Sequence, residues 1–133
     1  MPQFVMDKGT NSKEFDALDE FTQGYVEAIF FTECHADNPE MENCDFDDLA
    51  PETLKQIVDD CTEFQKENEI FLAQACDDYD MRRAGTDFWF TRNRHGAGFW
   101  DRDLGEPGRL LTDAAHAAGS LDLYLGDDER LYL

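Results

Sequence analysis

A cluster of charged residues around a glycine-rich turn could bind an anion. Arg92, Arg94 and His95 stand before a Gly-Ala-Gly turn, and Asp101 and Arg102 follow it. Guanidinium groups match phosphate oxygens, and backbone amides in a glycine-rich turn can contact the same anion. A histidine oriented by a carboxylate can also move a proton near neutral pH. The cluster therefore suggests a nucleotide-binding site or a small phosphoesterase.

The same residues have a simpler structural interpretation, which we favour. The run R-N-R-H-G-A-G is neither a P-loop nor a dinucleotide-binding fingerprint. The chain also has no Ser-His-Asp order and no H-E-x-x-H motif. In a protein with a large surplus of acids, the arginines are expected to form ion pairs with carboxylates. The sequence leaves enzymatic activity open and favours a non-enzymatic protein.

Carboxylates form a second group that could act in binding. They are Asp45, Asp47 and Asp48 in a predicted loop, and Glu52, Asp59, Asp60, Glu63 and Glu67 on a predicted helix. Carboxylates three or four residues apart on a helix lie roughly 5–6 Å from one another, which is close to the spacing of phosphates in nucleic acid. Such a face could imitate nucleic acid. It could also serve only as a solvated surface.

The net charge supports an interaction role for the acidic residues. The 133 residues carry a formal charge of −20, and the pI is near 4.1. Residues 1–80 hold 22 acids against 4 lysines, whereas residues 81–133 hold 9 acids against 7 arginines. This field repels nucleic acid and anionic membranes and attracts basic surfaces. We therefore expect no direct binding of nucleic acid and no membrane association. A purely solubilising role is the alternative.

Neither a metal site nor a cofactor is predicted. The four cysteines, Cys34, Cys44, Cys61 and Cys76, contain no C-x-x-C pair. Residues 38–49 are acidic but lack the central glycine and the alternating ligands of an EF-hand loop. No secretory signal opens the chain, so disulfide bonds are not expected.

Four stretches of the sequence carry a resemblance to known proteins. They read GYVEAIFFTE, DDLAPETLKQIVDDCTEFQKEN, DFWFTRNRHGAGFWDRDLGE and LLTDAAHAAGSLDLYLGDDERLY. Together they cover much of the chain and resemble a family of small acidic proteins encoded by tailed bacteriophages, with the pattern DFWxTRNxHGAGFWDR. Most of its members are hypothetical proteins without an assigned activity. The resemblance implies phage infection, and hence the cytoplasm of a host bacterium, but it implies no catalytic residues.

The elements that would position these groups can be predicted from periodicity. Apolar residues at spacings of three and four predict helices over residues 13–32, 51–76 and 109–118. The second helix is expected to start at Pro51 and to kink or break near Asn68, a polar residue in the apolar stripe. Gly85 and Gly119 are expected to stop helices.

Two hairpins complete the predicted fold. Alternating aromatic and polar residues predict strands on both sides of the turn, over residues 87–101, and a second hairpin over residues 121–133. The result is a single α+β domain spanning residues 1–133. Its acidic helical part covers about residues 1–84, and its hairpin part covers residues 85–133. The two acidic helices and the third helix pack on the antiparallel sheet.

Three functions follow from these observations. The first is a non-enzymatic phage protein that inhibits a host protein with a basic surface, such as a nuclease, a CRISPR or other defence effector, or a polymerase. The second is the small-ligand or nucleotide-binding protein centred on the turn from Arg92 to His95. The third is a minor structural or assembly protein of the virion. A homodimer is left open.

Overall fold

Helices dominate the protein. The computed structural model describes residues 12–34, 38–75, 79–95, 97–102 and 104–133. Two short 3-10 turns, Phe46–Asp48 and Phe99–Asp101, lie between helices. The helices of the described residues are α1 Ser12–Ala17, α2 Glu20–Glu33, α3 Pro51–Glu67, α4 Glu69–Ala75, α5 Met81–Arg92 and α6 Glu106–Ala118.

Short-range signals set several helix boundaries. The Asp19 carboxylate accepts a hydrogen bond from the Thr22 amide at 2.8 Å and caps α2. Asp80 caps α5 in the same way. Pro51 occupies the first turn of α3, as predicted. The predicted break at Asn68 is confirmed, because this residue ends α3 and its side chain returns a hydrogen bond to the carbonyl of Phe64.

The predicted α+β fold with two hairpins is wrong. Residues 87–92, expected to form a strand, are the second half of α5. Phe88, Trp89 and Phe90 follow one another and all are buried, which a helix allows only when it is enclosed on every side. A helix that is enclosed in this way has no amphipathic period. A short apolar run can then belong to a buried strand or to a buried helix, and the residue pattern alone does not distinguish the two.

Gly85 lies inside α5, and the prediction that it stops a helix is also wrong. A Cβ atom on Gly85 would lie 1.7 Å from the carbonyl oxygen of Phe21. A Cβ atom on Gly24 in α2 would lie 1.8 Å from the carbonyl oxygen of Arg82. Both glycines are therefore needed because the backbones of α2 and α5 touch where these helices cross. The Thr86 hydroxyl reinforces the crossing by donating to the carbonyl of Gly24 at 3.0 Å.

Aromatic rings fill the core around this crossing. The Phe64 and Phe88 rings are stacked with centroids 4.0 Å apart, and Tyr25 contacts the Trp89 ring edge-on at 5.4 Å. The Trp89 indole donates a hydrogen bond to the hydroxyl of Thr32 at 2.9 Å. The core thus joins α2, α3 and α5, with α6 packed against α5.

Predictions for the C-terminal part hold better. Helix α6 ends at Gly119, where φ is +82°, as the glycine stop predicted. The second hairpin exists but is short: β1 Tyr124–Leu125 pairs antiparallel with β2 Leu131–Tyr132, and this is the sheet of the described residues. Leu131 also bridges to Leu49. Within the described part of the chain, no helix has the length and apolar character to cross a membrane.

Candidate functional site

Carboxylates of the acidic loop before α3 accept hydrogen bonds from backbone amides of the same loop. Asp45 and Asp48 form a reciprocal capping box around the 3-10 turn. The Asp45 carboxylate accepts from the Asp47 amide at 2.9 Å, and the Asp48 carboxylate accepts from the Asp45 amide at 2.9 Å. These three residues are half-buried. They are therefore less available to a partner than carboxylates on an exposed helix face.

The acids predicted on α3 do share an exposed face. We call Glu52, Asp59, Glu63 and Glu67 the carboxylate row, since all four are exposed and follow one another at helical spacing. The buried side of α3, which carries Ile57, Cys61 and Phe64, anchors the helix and turns the row outward. The tertiary structure therefore presents these carboxylates as one surface.

Few neighbouring cations neutralise this surface. Lys55 pairs with Asp59 at 2.6 Å, and both side chains are well exposed. Asp60, at the edge of the row, pairs with Arg92 at 3.2 Å. Within the described residues, neither Glu63 nor Glu67 forms an ion pair. Described ion pairs therefore leave the C-terminal half of the row, Glu63 and Glu67, unneutralised, with Lys66 as its neighbouring cation in the sequence.

A groove of about 480 Å³ lies beside this half of the row, between α3 and α6. Its acidic residues come from α3, its alanines come from α6, and Phe88 and Arg92 come from α5. The lining residues are Asp60, Glu63, Phe64, Glu67, Asn68, Phe88, Arg92, Ala114, Ala117 and Ala118. Sequence reasoning found the acids but missed the α6 wall. The run of small residues DAAHAA was the available signal for a close helix approach.

Arg92, predicted to contact an anion, is instead a buried structural residue with 4% of its surface exposed. Its guanidinium donates to the carbonyls of Gly119 and Ala118, at 2.8 and 3.1 Å, and so caps the C-terminus of α6. It also donates to the hydroxyl of Tyr25 at 3.2 Å, pairs with Asp60, and lies 5.1 Å from the Phe88 ring centre. These contacts join α6, α2 and α3 through one side chain.

Arg102 is engaged in a second buried ion pair. Its guanidinium donates to both carboxylate oxygens of Asp87, with distances of 2.8 to 3.2 Å, and Asp87 is fully buried in α5. The Tyr79 hydroxyl also donates to this carboxylate. Burial, together with the Asp87 charge, raises the pKa of Tyr79 far above its ordinary value. The network ties the segment after α5 back to that helix.

The remaining residues of the predicted anion site lie around the end of α5. Arg94 is exposed and has φ of +57°. The His95 ring packs edge-on against Phe90 at 5.9 Å, and Asp101 ends a 3-10 turn. Gly96, part of the predicted phosphate-binding turn, lies outside the described residues. The ligand site stays a prediction, but two of its three arginines are already engaged by carboxylates.

The three described cysteines, Cys34, Cys44 and Cys61, are free thiols. Burial raises the pKa of the Cys34 thiol to about 12, with Cys44 nearby, and burial also raises the pKa values of Cys44 and Cys61. Cys76 lies outside the described residues. Among those described, no group of three or more metal-ligating side chains could hold an ion.

Comparisons with protein-family models, with curated proteins and with solved structures found no match for this chain. What the protein binds is therefore inferred from its own charge and geometry.

Proposed function

We propose that this protein is a non-enzymatic phage protein that acts in the cytoplasm of an infected bacterium. It binds a host protein with a basic surface and occupies the cleft where that protein would hold nucleic acid. The observation that carries this proposal is the carboxylate row on α3, which is exposed and whose C-terminal half forms no ion pair with the residues that the structure describes.

The geometry of the row suits a surface that normally binds phosphates. Carboxylates on successive helical turns are roughly 5–6 Å apart, and they are held in place by a helix that is packed on its other face. A flexible acidic tail would have to be ordered on binding, whereas this row is already ordered. The charge of −20 also attracts a basic partner from a distance and so speeds their encounter. In physiological salt this attraction is largely screened beyond roughly 8 Å.

A nucleotide-binding function is less well supported. It needs free guanidinium groups, and those of Arg92 and Arg102 pair with Asp60 and Asp87. An anion at this place would have to displace a buried carboxylate or share its arginine with it. Both alternatives are costly in a region with little access to water. We therefore do not propose the turn as a ligand site.

A pull-down from bacterial lysate tests the proposal. The tagged protein is incubated with lysate at low and at high salt, and the retained proteins are identified by mass spectrometry. We expect a host nucleic-acid-binding protein that is held at low salt, is released at high salt and is displaced by added DNA. Retention that DNA does not compete would contradict mimicry of nucleic acid.

Two triple variants separate a specific surface from net charge. Glu52→Gln, Glu63→Gln and Glu67→Gln remove three charges from the carboxylate row. The control changes Asp122→Asn, Asp127→Asn and Glu129→Gln remove three charges from exposed positions near the C-terminal hairpin. We expect the first variant to lose the partner and the second to keep most of its binding, with unchanged circular dichroism in both. Equal losses would show that only total charge matters.

A further inference from the structure

The groove between α3 and α6 has a composition that fits one kind of group. Three carboxylates, Asp60, Glu63 and Glu67, line it against the single guanidinium of Arg92, which leaves two negative charges. The rest of its lining consists of Ala114, Ala117 and Ala118, together with the largely buried side chains of Phe64, Asn68 and Phe88. A group that enters must therefore be cationic at one side and apolar or planar at the other.

The ends of two helices add to the negative potential of the groove. Glu67 is the last residue of α3, and Ala118 is the last residue of α6. Helix C-termini carry a partial negative charge that favours cations. Arg92 already takes the carbonyls of Ala118 and Gly119, so the α6 terminus is partly satisfied. The carboxylates of Glu63 and Glu67 lie further along α3, beyond the Asp60 that Arg92 neutralises.

Arg92 shows how this wall accommodates a guanidinium group. Its charged end is paired with a carboxylate of α3 and lies over the Phe88 ring. The next turn of α3 adds Glu63 and Glu67, two carboxylates four residues apart that line the same groove, whereas the Phe64 ring between them is buried and stacked on Phe88. A second guanidinium placed beside Arg92 along α3 would find two carboxylates that it could bridge.

We propose that the groove receives an arginine side chain of the partner protein. This inference rests on the proposed function and identifies where on the carboxylate row the partner is anchored. Arginine is favoured over lysine because its planar group can bridge two carboxylates, is less strongly hydrated and lies flat against aromatic and apolar surfaces. The alanines of α6 leave room for the apolar part of the arginine side chain.

A defined peptide tests this site without the partner. Fluorescence anisotropy would compare labelled hexa-arginine with hexa-lysine, which carry equal charge. We expect hexa-arginine to bind at least several-fold more tightly, and the methyl NMR signals of Ala114, Ala117 and Ala118 to shift when it binds. Equal affinities, or shifts that avoid these methyl groups, would overturn the proposal.

Variants of the groove complete the test. Ala117→Leu fills the groove without changing charge, and Ala17→Leu on α1 is its control, since both alanines are exposed at helical positions. We expect Ala117→Leu to weaken hexa-arginine binding about tenfold. The double variant Glu63→Gln with Glu67→Gln should have a similar effect if each carboxylate contributes about as much as a good surface ion pair. Asp122→Asn with Asp127→Asn controls for the two lost charges.

The outcomes distinguish this inference from the proposed function. If the pull-down retains a partner but Ala117→Leu binds that partner and hexa-arginine as the unaltered protein does, the groove is not the anchor, although the acidic face still acts. If hexa-arginine binds in the groove and no host protein is retained, the arginine site stands and the inhibitor function fails.

Discussion

Replacing Gly85 by alanine is the most direct test of the α2–α5 crossing. The added Cβ atom would lie 1.7 Å from the carbonyl oxygen of Phe21, 2.7 Å from its carbonyl carbon and 3.0 Å from the amide nitrogen of Tyr25. All three atoms belong to the backbone of α2, so no side-chain rotation can relieve the clash. The two helices must separate by about 1.7 Å at this point to reach ordinary van der Waals contact at about 3.4 Å.

The expected loss of stability follows from this separation. Phe21, Tyr25, Phe88 and Trp89 are fully buried near the crossing. Burial of an aromatic side chain contributes about 3 kcal/mol, and a gap of only about 0.5–1 Å already forfeits a quarter to a half of its contacts. Four rings therefore lose about 3–6 kcal/mol, while the better helix propensity of alanine returns about 1 kcal/mol. We expect a net loss of about 2–5 kcal/mol, from a typical total of about 5–15 kcal/mol.

Urea unfolding followed by circular dichroism and by tryptophan fluorescence measures this loss. Gly108→Ala is the comparison, because it is also a buried helical glycine but its added Cβ atom would lie 2.9 Å from the Cβ atom of Leu104 and 3.4 Å from the nearest backbone oxygen, that of Phe99. We expect it to lose clearly less free energy of unfolding than Gly85→Ala does. A Gly85→Ala protein as stable as the unaltered one would refute the close crossing of α2 and α5.

Three further changes test the capping, ion-pair and thiol assignments. Burial opposes ionisation of Asp19, but hydrogen bonds from Thr22 and other neighbours outweigh it and lower its pKa below 3.8. Asp19→Ala should therefore lower the free energy of unfolding in urea by about 1 kcal/mol above pH 4. Its difference from the unaltered protein should shrink as the pH falls below that value. A difference that stays constant with pH would count against the cap. Arg102→Met leaves the buried carboxylate of Asp87 unpaired and should cost about 3–5 kcal/mol in the same assay; a loss under about 1 kcal/mol would contradict the pair. Burial raises the pKa of the Cys34 thiol to about 12, so little reactive thiolate forms at pH 8. Its alkylation by iodoacetamide at this pH, followed by peptide mass spectrometry, should be at least about tenfold slower in the folded protein than in urea. Equal rates would place the thiol at the surface.

Helix boundaries were predictable where a local group determines them. Pro51 starts α3 because its missing amide and fixed φ suit a first turn, and Gly119 ends α6 because it adopts a positive φ at no steric cost. Asn68 interrupts an apolar stripe, and its amide competes for the carbonyl of Phe64 at the helix end. Each of these effects involves atoms within one turn of the residue concerned.

The error at residues 87–92 has a different origin. The run DFWFTR places three consecutive aromatic residues between polar ones and predicts a strand, but all six residues are buried in a helix. Its charged members, Asp87 and Arg92, have long-range partners. Asp87 pairs with Arg102, which lies 15 residues away along the chain. Arg92 pairs with Asp60, which lies 32 residues away. No local pattern records such partners, so the polar residues looked like solvent-facing positions.

The sequence by itself determined the negative charge, its concentration in the first 80 residues and the helical spacing of the acids on α3. These properties depend only on residue type and on distance along one helix. The tertiary structure decided which charges stay free. It paired Arg92 and Arg102 with carboxylates, left Glu63 and Glu67 without ion pairs among the described residues, and brought the alanines of α6 into the same groove. Net charge is a sum over the residues of a chain, whereas ion pairing and groove formation depend on which helices pack together. Gly24 and Gly85 allow the close packing of α2 on α5.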